Sequence, residues 1–240
     1  MCSLTGSLSL QSPDWPPFAN RMIVSGFLVG QKSGIMKDAT QEHFACYRDD
    51  DDPETKLERN RLTRQLEAMG IRYKSLRIGC DGSCSLNLSG TPIADLTPLK
   101  DVPVTRLCLQ GCCRITDVSP LESTKVAWLN IARTRVMDLS PLRDLPLTDL
   151  ILHRTQIASL APLRDTSLRS LDIRSTRITD VSPLRHVPLS ELLFFPARVT
   201  KGLTVLCGIE TLKKINRRPA ADFWKQYGGS AEAQNKSSKT

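Results

Sequence analysis

LDIRSTRITDVSPL, residues 171–184, stands one stride after LILHRTQIASLAPL, residues 150–163, and two strides after LNIARTRVMDLSPL, residues 129–142. Each block opens on a triplet that reads apolar, any residue, apolar, and closes on a prolyl-leucyl pair. The pair recurs at Pro98-Leu99, Pro120-Leu121, Pro141-Leu142, Pro162-Leu163 and Pro183-Leu184, at separations of 22, 21, 21 and 21 residues. A period of about 20 residues marks a solenoid, in which a turn too small to bury its own apolar face stacks on its neighbours.

The triplets are Leu86-Asn87-Leu88, Leu107-Cys108-Leu109, Leu129-Asn130-Ile131, Leu150-Ile151-Leu152 and Leu171-Asp172-Ile173, with Leu192-Leu193-Phe194 as a sixth. Alternation over so few residues predicts a short strand with one buried face. The strands are expected to stack in parallel, one per repeat. Past each triplet stands a small polar residue, Thr91, Thr134, Thr155 or Thr176, replaced by Cys112 in the second repeat. At that corner backbone groups leave the ladder and need partners, which a buried hydroxyl supplies. Ile93, Ile115, Val136, Ile157 and Ile178, then Leu96, Val118, Leu139, Leu160 and Val181, fill the interior with the leucine after each proline. Proline lacks an amide donor and discourages a long helix, so the returning arcs are expected to be short 3₁₀ or extended pieces.

The segments ITDVSPL (115–121), VMDLSPL (136–142), IASLAPL (157–163) and ITDVSPL (178–184) resemble the leucine-rich repeats of the protein phosphatase regulatory subunit of that class and of the internalins. Those proteins usually carry asparagine where this chain has threonine, and commonly run one residue longer. The departure is similar to the threonine-containing, PL-rich repeats of planctomycete-type bacterial proteins, which often follow a serine/threonine kinase domain. ADFWKQY (221–227) is similar to a closing motif of that set. The resemblance covers roughly residues 71–227 and implies an α/β leucine-rich-repeat solenoid with short parallel strands, 3₁₀ or extended convex arcs and helical caps.

The flanks divide the 240-residue chain into a segment 1–53 without clear periodicity, a helix and cap at 54–85, repeats over 86–195, a second cap at 196–227 and a polar tail at 228–240 expected to be disordered. Met22 to Val29 reads as a short buried segment, and the acidic run Asp49 to Asp52 marks a boundary. Glu54 to Met69 reads as an amphipathic helix with Leu57, Leu62, Leu66 and Met69 on one side, stopped by Gly70. Its expected task is to cover the open end of the solenoid; Val205 to Ile215 with Phe223 and Trp224 are expected to cover the other. No apolar run is long enough to span a bilayer, and the first residues lack a charged start followed by an apolar core, so a cytoplasmic location is the expectation.

No catalytic set can be assembled. GFLVGQKSG (26–34) has three residues between Gly26 and Gly30, and Gln31 precedes Lys32, so it fails the spacing by which a phosphate loop brings amides and an ammonium together. Kinase signatures are missing, and His43, His153 and His186 are scattered. Of the eight cysteines, Cys80, Cys84, Cys108 and Cys112 have the pairwise spacing of a zinc site. Cys112 takes a ladder position, however, Cys207 falls in an apolar cap and Cys108 points away from Cys112, so small buried hydrophobes are the preferred reading, with neither metal nor cofactor.

What remains is a surface. Side chains between the buried leucines are expected on the concave side: Asn87, Cys108, Asn130, Ile151, Asp172 and Leu193, flanked by Arg106, Trp128, Asp149 and Glu191 before the strand and by Gln110, His153, Arg174 and Phe195 after it. Trp128 is the first choice of anchor, since aromatic and arginine residues dominate interface energetics; the alternative is that it packs over the irregularity at Cys112 and Cys113. Arg133, Arg135, Arg154, Arg174 and Arg177 are expected to form a basic strip at the strand exits, their rungs about 5 Å apart. Such a strip suits an acidic or phosphorylated protein segment. The expected contact set is Trp128, Asn130, Arg133, Asp149, Ile151, His153, Arg154, Asp172 and Arg174. The leading reading is a noncatalytic protein-interaction scaffold, and the runner-up an accessory recognition region of a bacterial serine/threonine kinase system. The net charge of +8 also permits nonspecific nucleic-acid binding, though no nucleic-acid module is recognisable.

Overall fold

Leu86, Leu107, Leu129, Leu150, Leu171 and Leu192 stand side by side in one row of paired strands, each almost wholly excluded from solvent. The strands carrying them are β2 (Cys84–Asn87), β3 (Val104–Cys108), β4 (Trp128–Asn130), β5 (Asp149–Ile151), β6 (Ser170–Asp172) and β7 (Glu191–Leu193), all parallel in sequence order. The computed structural model describes residues 53–79 and 82–227, which belong to a unit spanning residues 43–240. The segment Met22 to Val29, the loop 26–34, the acidic run 49–52, Cys80 and the tail 228–240 lie outside the described residues.

The row continues one strand beyond the repeats at each end. β1 (Ser75–Ile78) folds back antiparallel on β2 and sets Leu76 beside Leu86, while β8 (Lys214–Ile215) adds parallel to β7 and sets Ile215 beside Leu192. β9 (Arg218–Pro219) then pairs antiparallel with β8. Antiparallel partners at both margins give the outer parallel strands the hydrogen bonds they would otherwise lack.

Each return arc contains a 3₁₀ turn with proline at its start: Thr97–Leu99, Ser119–Leu121, Ser140–Leu142, Ala161–Leu163 and Ser182–His186. The interior expected from the sequence is buried, except that Ile93 is only half-buried against it. The threonine ladder is present in chemical detail. Thr91, Thr134, Thr155 and Thr176 each donate a hydroxyl, at 2.7 Å, to the carbonyl three residues back. Cys112 differs: its thiol reaches across to the Leu88 carbonyl at 3.0 Å.

A helix, α1 (Pro53–Ala68), lies against β1. Leu62 and Leu66 are buried on it and Met69, just past it, packs against the same core. Leu57, expected on that face, is 72 % exposed. Five residues separate it from Leu62, which at 3.6 residues per turn rotates it well away from the stripe, and Thr55 takes the buried position instead. The far end is closed by the short helix α2 (Leu203–Cys207) and by residues 220–227, also helical. Leu206, Ile209, Leu212 and Phe223 are buried there, and Phe223 lies against Phe194, their ring centroids 5.8 Å apart. Cys207, expected inside this cap, is exposed.

Candidate partner-binding face

Every strand exit must turn sharply while still feeding the ladder. The residue before each ladder threonine, and before Cys112, does this with a positive φ: Gly90 at 70°, Gly111 at 76°, Arg133 at 57°, Arg154 at 60° and Ser175 at 57°. The first four donate their amides to the carbonyls of Gln110, Ala132, His153 and Arg174 in the following repeat, so the left-handed turn keeps the parallel ladder running around the corner. Glycine takes this conformation without a Cβ clash; for other residues it costs about 1–2 kcal/mol. The chain nonetheless places arginine there in two adjacent repeats.

Arg133, His153, Arg154, Arg174, Ser175 and Phe195 line an open cleft of about 250 Å³ at these corners. Arg133 and Arg154 are exposed, and no carboxylate pairs with either among the described residues. Arg174 is half-buried and clamps Asp172 through Nε at 2.9 Å and Nη2 at 2.7 Å. Phe195 is 47 % exposed, a large apolar ring beside a cationic site. Burial, and then the charges of Arg174, Arg133 and Arg154, hold the His153 imidazole below its usual pKa against the opposing pull of Asp172. It is therefore neutral near pH 7. Arg135 and Arg177 are exposed but do not line this cleft.

On the sheet itself, Trp128 is half-buried, and the guanidinium carbon of Arg106 on the adjacent strand lies 4.9 Å from its ring centroid. The ring thus stacks under an arginine of the preceding repeat. Asp149 stands beside Trp128 in register and accepts from the Thr148 hydroxyl at 2.7 Å, and Ile151 is half-buried between Asn130 and Asp172. Alternation placed Asn130 and Asp172 on the open face. Each is instead only 6 % exposed, its Oδ1 accepting the amide two residues on, from Ala132 at 3.0 Å and Arg174 at 3.1 Å. These side chains brace the corner, because a short carboxamide or carboxylate at the end of a strand finds a backbone donor within reach. Asn87 does the same for Ser89 at 2.9 Å.

The expected residues thus separate into a sheet group around Trp128 and a corner group around Arg154. Ser175 and the left-handed arginines were not anticipated. Their signal lies in comparing the repeats: LNLSGT (86–91) and LCLQGC (107–112) carry glycine where LNIART (129–134) and LILHRT (150–155) carry arginine. Among the cysteines, Cys84 is buried and its thiol is pushed up to about 11, by burial and then by Glu58. Cys112 is buried in the ladder and Cys108 half-buried on the sheet.

Parallel strands in one register, a buried leucine row, a threonine ladder and 3₁₀ return arcs settle the architecture. The chain folds as a leucine-rich-repeat solenoid. No family model matches the sequence, and no curated protein matches it either. Solved structures similar to it include an internalin from Listeria monocytogenes, 24 % identical over 51 % of this chain and 37 % of that one, with a TM-score of 0.46. Internalin C2 from the same organism is 26 % identical over 53 % of this chain and 58 % of that one, also with a TM-score of 0.46. The match therefore spans less than two thirds of either internalin. No helix among the described residues is long and apolar enough to cross a membrane.

Proposed function

We propose that this chain is a noncatalytic interaction scaffold that receives a protein partner on the concave leucine-rich-repeat face, with Trp128 as an anchor and the corner arginines guiding anionic side chains of the partner. The observation that carries this reading is the pair Arg133 and Arg154, solvent-exposed guanidiniums without a carboxylate partner, held beside an exposed Phe195. Arginine and aromatic side chains dominate interface energetics. Asp149, Ile151, His153 and Arg174 complete the contact surface, while Asn130 and Asp172 act by holding the corners in shape.

The test is an affinity capture from lysate with the native chain, Trp128→Ala and Arg154→Glu, each first shown to be folded by circular dichroism. Arg154 is the residue to reverse, because reversing Arg174 would also strip Asp172 of its counter-charge. The reading expects one protein captured by the native chain and lost from both variants. Capture unchanged in both would move the binding surface away from the sheet and corners.

A further inference from the structure

Three guanidiniums line the corner cleft, and among the described residues the one carboxylate paired with any of them is Asp172, clamped by Arg174. Two positive charges are left over. A carboxylate ligand would neutralise one of them, whereas a phosphomonoester near pH 7 carries a charge approaching −2 and three acceptor oxygens. The donors also rise around the cleft from three successive repeats, with His153 and Ser175 between them. That arrangement suits a tetrahedral anion better than a planar one, since arginine forks meet phosphate oxygens from several sides.

We propose that the corner cleft is a phosphotyrosine site: the arginines, with His153 and Ser175, take the phosphate of a phosphorylated partner segment, and Phe195 packs against the aryl ring. This rests on the scaffold reading above and specifies the partner's anionic group. Phe195 favours an aryl ester over phosphoserine or phosphothreonine, because an exposed ring at the edge of a cationic cleft gives an aliphatic phosphoester little to stack on, while two aromatic rings pack favourably in offset or edge geometry. The local extent of the charge argues against nucleic acid. At the same corner the first two repeats carry Gly90 and Gly111, and the repeat after Arg154 carries Ser175. Arginine at the left-handed corner itself therefore spans two rungs, on the order of 5 Å apart at strand spacing, where a single-stranded nucleic acid needs a groove that follows many phosphates.

The left-handed backbone at Arg133 and Arg154 supplies an independent argument. Glycine at the same corner relieves the strain and is used in this chain twice, so arginine in that conformation is held at a cost to stability. A bound anion returns something for that cost. Burial is the first thing that holds down the His153 imidazole, and a bound anion offsets the second, the guanidinium charges, so that His153 gains a proton more readily in the complex. His153 is faced by Asp172 as well as by Arg133, Arg154 and Arg174, and only Asp172 acts in the proton-favouring direction before the phosphate arrives.

The experiment titrates the full chain with phenyl phosphate, phenyl sulfate, inorganic phosphate and a single-stranded RNA oligonucleotide, reading affinity by calorimetry and the His153 imidazole by NMR. Phenyl phosphate is expected to bind more tightly than phenyl sulfate or inorganic phosphate and to raise the His153 pKa, so that affinity falls as pH rises from the free imidazole's lowered pKa to its value in the complex. Arg133→Gly and Arg154→Gly are each expected to weaken phenyl phosphate by about tenfold or more while melting no lower than the native chain, which separates lost binding from lost folding. Phe195→Ala is expected to lower phenyl phosphate to the affinity of inorganic phosphate. Equal affinity for the sulfate and the phosphate esters, tighter binding of the RNA lost in the same glycine variants, or no binding of phenyl phosphate would each overturn the site. Treating the lysate with phosphatase separates this proposal from the scaffold reading. Partner capture that survives dephosphorylation yet is lost in Trp128→Ala sinks the phosphotyrosine site and leaves the scaffold standing.

Discussion

Thr155 donates its hydroxyl to the Leu152 carbonyl at 2.7 Å, and its own amide donates to the same oxygen at 3.2 Å. Replacing it with valine keeps the shape and one of the two hydrogen bonds, so Thr155→Val is expected to cost about 1 kcal/mol. Leu150 is fully buried in the leucine row, and Leu150→Ala removes methyl groups from a packed interior at a cost of about 2–5 kcal/mol. Chemical denaturation of the two variants checks the order; equal losses would mean that the ladder hydroxyls carry as much as the core. Both roles were legible in the sequence because each depends on a position fixed by the repeat. The fate of Asn130 and Asp172 was not. Strand alternation and Asx turns compete for the same residue, and the side chain's reach to an amide two residues on decided the matter. Left-handed arginine was hidden for a related reason: composition alone does not say that a corner occupied by Gly90 and Gly111 keeps its backbone shape after glycine is replaced.

The return arcs owe their uniformity to a device that the prolines only partly announce. Asp95, Asp117, Asp138 and Asp180 each accept the amide of the residue two positions on, which opens the following 3₁₀ turn, and Asp117 and Asp138 also take the serine hydroxyl there, at 2.6 and 2.7 Å. Hydrogen bonding from the residue two positions on holds all four carboxyls below the usual aspartate range: the side chains of Thr97, Ser119 and Ser182 lead for Asp95, Asp117 and Asp180, and the Ser140 backbone amide leads for Asp138. A carboxyl whose folded pKa lies below its unfolded one stabilises the fold fully above the unfolded pKa, about 3.9, and loses that contribution as pH falls through the folded pKa. Stability is therefore expected to be insensitive to these groups near neutral pH and to decline below about pH 4. In an Asp117→Asn, Asp138→Asn double variant, urea midpoints should fall less between pH 5 and pH 3 than in the native chain. An identical acid slope would show that the caps do not titrate with folding. The fourth repeat supplies an internal contrast, for Ser159 accepts the Ala161 amide at 3.2 Å with a hydroxyl that carries no charge in this range. Helix α1 was legible as an element, but its facing was misjudged at Leu57 because one residue off the stripe looks acceptable in a short helix. The β1–β2 hairpin left no repeat signature at all, since β1 lies outside the period.

At the scale of the whole stack, period alone revealed the solenoid, because five returns of one pair at 21 or 22 residues are hard to reconcile with any other packing. The corner cleft needed the fold, since His153, Arg174 and Phe195 belong to three successive repeats and meet only when those repeats are stacked. Stacking also sets how damage spreads. Each rung touches its neighbours and little else, so stability is a sum of local terms joined at shared faces. Leu66 is fully buried in the cap helix against the first strands, some five rungs from Phe195. Leu66→Ala is expected to cost about 2–5 kcal/mol, and hydrogen exchange tells where that loss is felt. The Lys74 amide, bonded to the Asn87 carbonyl, and the Leu88 amide, bonded to that of Cys108, should exchange roughly 30-fold faster or more for the first 2 kcal/mol. The Ile173 amide, bonded to the Leu193 carbonyl, should keep its protection. In that case the N-terminal cap guards its own end only, and the arginine corner keeps its geometry while the far rungs fray. Acceleration of all three amides by the same factor would make the repeats a single cooperative unit, and a lesion at the cap would then be felt at the cleft.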